Sequence, residues 1–230
     1  MSKRAIYYDT ETTGTRPDKD RVIEIAAFDP VDNRTFVQLI NPEMFIPQEA
    51  IAIHHITDEM VKNAPSFKEV ALQFSEFCGS NAALIAHNND NFDRLFLKEE
   101  FQRSQMNLPD WTFVDTLKWA RKYRSDLPRH NLQFLREIYG IAANEAHRAL
   151  NDVLVLHEVF RLMIDDLPVE VVISLLSVSQ DISRMPFGKY NGRSLKEVPK
   201  DYVQWLVRTG AFEKAENKQL KESFEKLNLL

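Results

Sequence analysis

The 230-residue sequence contains a single cysteine, Cys78, and only six glycines, and none of its apolar runs approaches a membrane span, which takes about 20 residues. One thiol cannot form an internal disulfide, a zinc ribbon or a dithiol redox pair. It fits a reducing cytoplasm, with Cys78 as a core residue. The start, Met-Ser-Lys-Arg, passes directly into a strand-like run without the apolar stretch of a secretion signal, so a cytoplasmic protein without membrane association is expected. Gly14, Gly79, Gly140, Gly188, Gly192 and Gly210 form neither G-x-G-x-x-G nor G-x-x-x-x-G-K, which excludes nucleotide cofactors cradled by such loops. Positive charge is also in short supply: 29 basic against 34 acidic residues give a net charge of −5. Polyanions are therefore not held by bulk charge, and any nucleic-acid contact must be local. What is present is 44% apolar, 10% aromatic and 27% charged residues, enough for one large domain or an ordinary domain with a small one beside it.

Apolar, β-rich runs at residues 5–8 and 22–28 read as strands, the second interrupted by Glu24, and residues 35–40 return antiparallel after a polar turn. Phe67, Val70, Ala71, Phe74 and Phe77 recur at helical spacing behind a Ser66/Glu69 capping box. A strand at 82–86, a helix at 92–101, a short strand at 112–114 and a helix to Tyr123 follow. Leu132, Leu135, Ile138 and Tyr139 mark a further helix closed by Gly140, and residues 149–164 form the longest one. The β-β-β-α-β-α-β-α order predicts an α/β fold, a mixed central sheet flanked by helices, over residues 1–176. Residues 177–184 read as a linker. Residues 185–230 read as a small, mainly helical module, with a turn at 187–192, a short helix capped by Ser194 and a helix at 220–227.

Asp9 and Glu11 flank Thr10 at the end of the first strand, and period-two alternation aims both carboxylates at one side of the sheet. Their repulsion is offset by a divalent cation or a proton, although an isolated D-x-E also fits an acidic turn. Asp93 follows the fourth strand in a polar junction, His87-Asn88-Asn89-Asp90-Asn91-Phe92. Such strand ends are where open sheets place ligands, with helix capping by Asn89 or Asp90 as the plainer role. His147 and Asp152 stand at and just inside the start of the longest helix, where an acid also complements the helix dipole. Acids at three such places, with one nearby histidine, form a joint pattern.

That pattern resembles the DEDDh (DnaQ-like) 3′-5′ exonuclease family with its RNase H-like fold. The resemblance rests on Ile6-Tyr7-Tyr8-Asp9-Thr10-Glu11-Thr12-Thr13-Gly14, on His87-Asn88 with Phe92-Asp93, and on His147-Arg148-Ala149-Leu150-Asn151-Asp152. Residues 50–61, including Ile53, His54 and His55, are similar to the family's stretch that lines the 3′-terminal nucleotide pocket. Phe187-Gly188-Lys189-Tyr190 resembles the small C-terminal module of the exonuclease X branch. The resemblance implies that Asp9, Glu11, Asp93 and Asp152 hold two Mg²⁺ or Mn²⁺ ions and that His147 is the general base. It also implies that Thr12, Ile53, His54, Asn88 and Phe92 contact substrate. Ile53 and Phe92 also fit as core residues, Asn88 as a cap, and His157, within the apolar helix, as a satisfied core histidine. Hard divalent cations prefer carboxylate oxygens, and an imidazole takes up a proton near neutral pH.

Charge is unevenly distributed. Residues 1–179 carry 19 basic and 27 acidic groups, and residues 180–230 carry 10 and 7. A local excess of four positive charges over residues 118–148 suits a phosphate backbone. Lys189, Arg193 and Lys196, interleaved with Phe187 and Tyr190, form a second candidate surface, where the rings either stack on bases or pack the module. The loop at 15–20 balances Arg16 and Lys19 against Asp18 and Asp20 and receives no role. The expected activity is metal-dependent release of nucleoside 5′-monophosphates from DNA 3′ ends, in repair or end trimming. The alternatives are a 3′-5′ exoribonuclease, a polymerase proofreading subunit, and a non-catalytic nucleic-acid-binding or scaffold protein on the same fold. Against the last, four carboxylates gathered at one point are costly without a metal.

Overall fold

A computed structural model describes residues 2–142, 149–178, 182–214 and 217–230. Five strands, β1 (Arg4–Thr12), β2 (Val22–Asp29), β3 (Arg34–Leu39), β4 (Ala82–Ala86) and β5 (Thr112–Asp115), form one sheet in the order β3-β2-β1-β4-β5. β1 pairs antiparallel with β2 and parallel with β4, so the sheet is mixed and β1 is its middle strand. β1 is longer than residues 5–8. Pairing continues through Asp9 opposite Ala26 and Glu11 opposite Glu24, so both acids lie within the strand rather than past its end. Ladder hydrogen bonds to a buried neighbour extend a strand where side-chain polarity alone argues for a stop. A register shift follows at Glu11/Thr12, a bulge that re-aims side chains at the sheet's rim.

Two short helices, α1 (Gln48–His54) and α2 (Asp58–Val61), occupy a stretch that shows no helical period in sequence. They are too brief for one, and they are held by a small core of Ile23, Ile46, Ala50, Ile56 and Val61. α3 (Phe67–Cys78) carries the Ser66/Glu69 capping box with both reciprocal bonds. α4 (Asp93–Arg103), α5 (Thr116–Tyr123), α6 (Leu132–Ile138) and α7 (Ala149–Ile164) follow. Period-two alternation sorts β1: Ile6 and Tyr8 enter the core with Phe74 of α3 and Phe96 of α4, while Tyr7 packs against His157 and Phe160 of α7. His157 lies edge-on to Tyr7 at 4.9 Å and to Phe28 at 5.1 Å, and burial lowers its pKa, as suits a core histidine.

Two compact units, Met1–Ser174 and Leu175–Leu230, divide the chain within α8 (Val169–Ser177), a helix not expected from the sequence. The second unit contains α9 (Lys200–Arg208) and α10 (Lys218–Lys226) around its own core of Met185, Leu195, Val203, Leu206, Leu220 and Phe224. Ser194 precedes a one-turn helix at Leu195–Glu197, but its side chain makes no capping bond there. The N–H groups of Leu195 and Glu197 are already taken by the backbone carbonyls of Ser183 and Ser194. Among the described residues, no helix is long and apolar enough to cross a membrane.

Candidate active site

The alternation that sends Tyr7 toward α7 sends Asp9 and Glu11 the same way, and Asp152 lies in the first turn of α7. One carboxylate oxygen from each of Asp9, Glu11 and Asp152 lies within 4.8 Å of the others. Thr10 points to the opposite face. There its backbone N–H (3.1 Å) and its hydroxyl (2.8 Å) donate to Oδ1 of the buried Asp93. Three of the four expected acids thus converge, and the fourth is held beside them by the residue that separates the first two.

Burial is the main cause that pushes the Asp9 carboxyl well above the usual carboxylate range, and Asp93, Glu11, Asp152 and Glu24 add to it by repulsion. Asp93 is pushed up to about 7, mainly by burial, against the lowering effect of its hydrogen bonds from Thr10. Hard oxygen donors that repel one another and share a partly open site fit divalent cations of the Mg²⁺ or Mn²⁺ kind. No cysteine or histidine belongs to the cluster among the described residues.

Two further side chains, not singled out from sequence, shape this centre. The carboxylate of Glu24 on β2, directly opposite Glu11, accepts the backbone N–H of Ala149 at 3.1 Å. Gln133 of α6 donates through Nε2 to Oδ1 of Asp152 at 3.2 Å. The signal for Glu24 was its place as an acid inside an otherwise apolar strand. Gln133, on a partly exposed helix, had none. His147 lies outside the described residues.

The junction after β4 is built around Asp115 at the end of β5. Asp115 accepts the N–H groups of Asn88, Asp90, Leu117 and Lys118. Neither Asn89 nor Asp90 caps α4, whose N-cap position is Phe92. Asn89 is instead buried, donating to the carbonyls of Leu84 and Val114 and accepting from the Tyr8 hydroxyl. Asn88 takes the N-cap position of a 3-10 turn at Asn89–Asn91 in a left-handed conformation (φ 71°), but its side chain makes no capping bond there and accepts from the Asn91 side chain instead. The His87 ring is tied to Thr116 and to the carbonyl of His130. The start of α4, which carries Asp93, is thereby fixed from two strands. An ion pair between the half-buried Arg21 and the buried Glu100 fastens the C-terminal half of that helix.

Beside the carboxylates lies a cavity of about 440 Å³ lined by Glu11, Thr12, Gly14, Ile53, His54 and Phe92, among others. Ile53 is 54% exposed, so it is not a core residue. His54 is buried and its Nδ1 accepts the N–H of Ile56 (3.0 Å), which puts the ring proton on Nε2. Phe92 packs on Phe96, with 4.9 Å between ring centres, and faces the cavity as well. Of the expected substrate residues, only Asn88 is absent from the lining. The loop that received no role does line it, through Thr15, Arg16 and Asp20. Asp20 is buried and accepts the Arg16 N–H (2.7 Å), and a Cβ on Gly14 would lie 2.4 Å from its carboxylate, so any larger residue there has to displace Asp20.

The basic excess over residues 118–148 is partly spent internally. Arg124 is bidentate to Asp126, Arg136 bonds Gln133 and the Ile141 carbonyl, and Lys118 lies 3.6 Å from Asp90.

The chain is similar to known proteins along most of its length. Residues 6–160 match the protein family described as Exonuclease, and residues 175–226 match one described as Putative quorum-sensing-regulated virulence factor. DNA polymerase III subunit epsilon of Treponema pallidum (strain Nichols) is 39% identical over 163 residues, covering 68% of this chain and 74% of that protein. DNA polymerase III PolC-type of Staphylococcus haemolyticus (strain JCSC1435) is 31% identical over 212 residues, 90% of this chain but 14% of the relative's length. Among solved structures, the zinc-bound complex of E. coli ExoI with ssDNA aligns with a TM-score of 0.62 at 23% identity, over 70% of this chain and 40% of that one. Exonuclease X in complex with 5′ overhanging duplex DNA aligns with a TM-score of 0.57 at 22% identity, over 75% and 99%. At such identities the two structures establish the shared RNase H-like fold.

Proposed function

The chain belongs to the DnaQ-like exonuclease family, and from that premise we propose that it removes nucleotides from the 3′ ends of DNA in the cytoplasm, in repair or end trimming, releasing nucleoside 5′-monophosphates. The observation that carries this reading is the convergence of Asp9, Glu11 and Asp152, with Asp93 held beside them by Thr10. Asp9, Glu11, Asp93 and Asp152 are the residues that would hold two divalent cations, Mg²⁺ or Mn²⁺. Cations held there would supply positive charge to stabilise the phosphoryl oxygens and the leaving 3′ oxygen.

The remaining roles belong to the chain's own side chains. His147, two positions before Ala149 in the sequence, takes the proton from the attacking water, a task for which an imidazole is suited near neutral pH. Thr12, Ile53, His54 and Phe92 receive the terminal nucleotide in the 440 Å³ cavity, with apolar surface for the base and a ring N–H for the sugar or phosphate. Asn88, at the rim after β4, orients the acidic centre or the strand. A second reading, a proofreading activity for a polymerase, is favoured by the similarity to DNA polymerase III subunit epsilon.

Digestion of 3′-labelled and 5′-labelled DNA and RNA, single- and double-stranded, with Mg²⁺, Mn²⁺ or EDTA tests the proposal. Metal-dependent loss of 3′-terminal mononucleotides from DNA is expected, and His147→Ala protein should lose turnover while retaining Mn²⁺. Shortening from the 5′ end, or full activity in EDTA, overturns it, and faster hydrolysis of RNA overturns the choice of DNA.

A further inference from the structure

The second unit leaves one large aromatic side chain outside its core. On α9, Val203 and Leu206 are buried, while Trp205 between them is 47% exposed. The other two tryptophans, Trp111 and Trp119, are 5% and 3% exposed. A buried tryptophan is among the largest contributors to a core, so an indole left in water forfeits that contribution and calls for a reason.

Trp205 is also not isolated. Its ring stacks on Tyr202 with centres 5.3 Å apart and planes 22° from parallel, and Tyr202 in turn meets the edge of Tyr190 at 4.8 Å. Gly188 is fitted to this ladder: at φ +74° it lacks the Cβ that would otherwise lie 2.3 Å from the Tyr202 hydroxyl. Two cations border it, the Lys189 ammonium 5.5 Å and the Arg193 guanidinium 5.7 Å from the centre of the Tyr190 ring. The neighbouring acid, Asp201, accepts the backbone N–H of Tyr202. The surrounding stretch, residues 180–230, carries 10 basic and 7 acidic groups, against 19 and 27 in the rest of the chain.

We propose that Trp205, Tyr202 and Tyr190, with Lys189 and Arg193, form a binding surface for single-stranded DNA. Every base has a π-face, so stacking on the exposed indole needs no particular sequence, and the two cations meet the phosphates between stacked bases. Charge complementarity selects a polyanion over an apolar peptide, and cation and ring arranged together fit a strand whose charge and aromatic groups alternate. The choice of DNA over RNA rests on the exonuclease reading above. The surface itself rests on the ring ladder.

The burial of Trp111 and Trp119 gives the test a local reporter. Full-length protein is titrated with a 16-nucleotide oligo-dT in EDTA, so that nothing is hydrolysed, while tryptophan fluorescence and the anisotropy of a labelled oligonucleotide are followed. Saturable quenching is expected, and it should vanish in Trp205→Phe protein. Trp205→Ala should weaken binding roughly tenfold, and Trp205→Tyr, which keeps a ring, should restore most of it. Replacing Lys189 and Arg193 together by Ala should lower the slope of log affinity against log salt by about 1.4, two phosphates' worth for a single strand. Unchanged affinity in Trp205→Ala and in the Lys189/Arg193 double variant overturns the proposal and leaves the rings to a protein partner. Tighter binding of oligo-U than of oligo-dT overturns the choice of DNA. Hydrolysis of the p-nitrophenyl ester of thymidine 5′-monophosphate with Mn²⁺, which presents one base, should be equal in wild type and these variants. Absence of that hydrolysis from all of them refutes the nuclease reading and leaves the binding result standing.

Discussion

Glu24, near the start of β2, accepts the N–H of Ala149, the first described residue of α7, across 125 positions of sequence. A helix start presents unpaired N–H groups and a partial positive charge, and a buried carboxylate satisfies both. Because Glu24 also sits opposite Glu11, it fixes the helix bearing Asp152 relative to the strand bearing Asp9 and Glu11.

Replacing Glu24 by Ala removes that acceptor and should destabilise the metal-free protein by about 1–3 kcal/mol, with a loss of turnover through misplacement of Asp152. Glu24→Gln keeps an acceptor oxygen and should recover most of both. Denaturant unfolding in EDTA, with initial rates at saturating Mg²⁺, distinguishes the two. Equal damage from both substitutions would show that the charge of Glu24 matters rather than its bond to Ala149.

The raised acids give the stability a pH dependence of defined sign. Asp93 lies at about 7 in the folded state against an ordinary 3.8, and Asp9 is shifted the same way. The folded state therefore binds more protons than the unfolded chain between those values. Stability of the metal-free protein is fullest below about pH 4 for these two groups and falls as pH rises toward 7. A divalent cation replaces the protons, so its effect on Tm should be larger at pH 8 than at pH 5.5, with proton release on binding. Calorimetry in two buffers of different ionisation enthalpy checks this, and an equal Tm increment at both pH values would refute it.

Thr10→Val deletes the hydroxyl donor to Asp93 and keeps the backbone one. Fewer hydrogen bonds to the carboxylate raise its pKa further. The acidic limb of the rate profile in Mg²⁺ should therefore move to higher pH, with little change at the alkaline plateau. An unmoved limb would separate Asp93 from the activity.

The cavity should separate binding from stability. Ile53→Ala, at an exposed position, should change unfolding free energy by less than about 0.5 kcal/mol and raise KM for DNA several-fold. Gly14→Ala forces a methyl group against Asp20 and should cost roughly 1–3 kcal/mol, with a disturbed cavity. A thermal melt beside a KM measurement for each variant decides, and a Gly14→Ala protein as stable as wild type would mean that Asp20 yields.

Much of the fold was legible from local pattern. The Ser66/Glu69 box and the spacing of Val70, Ala71 and Phe74 mark α3 without any partner, and residues 149–164 coincide with α7. What escaped were elements that exist through contacts distant in sequence. α1 and α2 are held by Ile23 of a strand, and β1 runs on through Asp9 and Glu11 because β2 offers it a ladder. The expected caps at Asn89 and Ser194 failed for a related reason: a polar side chain bonds the donor or acceptor that tertiary packing leaves nearest, and for Asn89 that is Tyr8, Leu84 and Val114.

By itself the sequence determined which chemistry is available: carboxylates in a D-x-E on one strand, at a strand-to-helix junction and on a long helix, with few glycines and one thiol to support anything else. Only the tertiary structure decided which of those acids meet, because carboxylate convergence depends on strand register and on where a helix begins. Asp9, Glu11 and Asp152 gather on one face of β1, Asp93 is held from the other by Thr10, and Glu24, the acid that interrupts an apolar run, joins the two chain segments that make the centre.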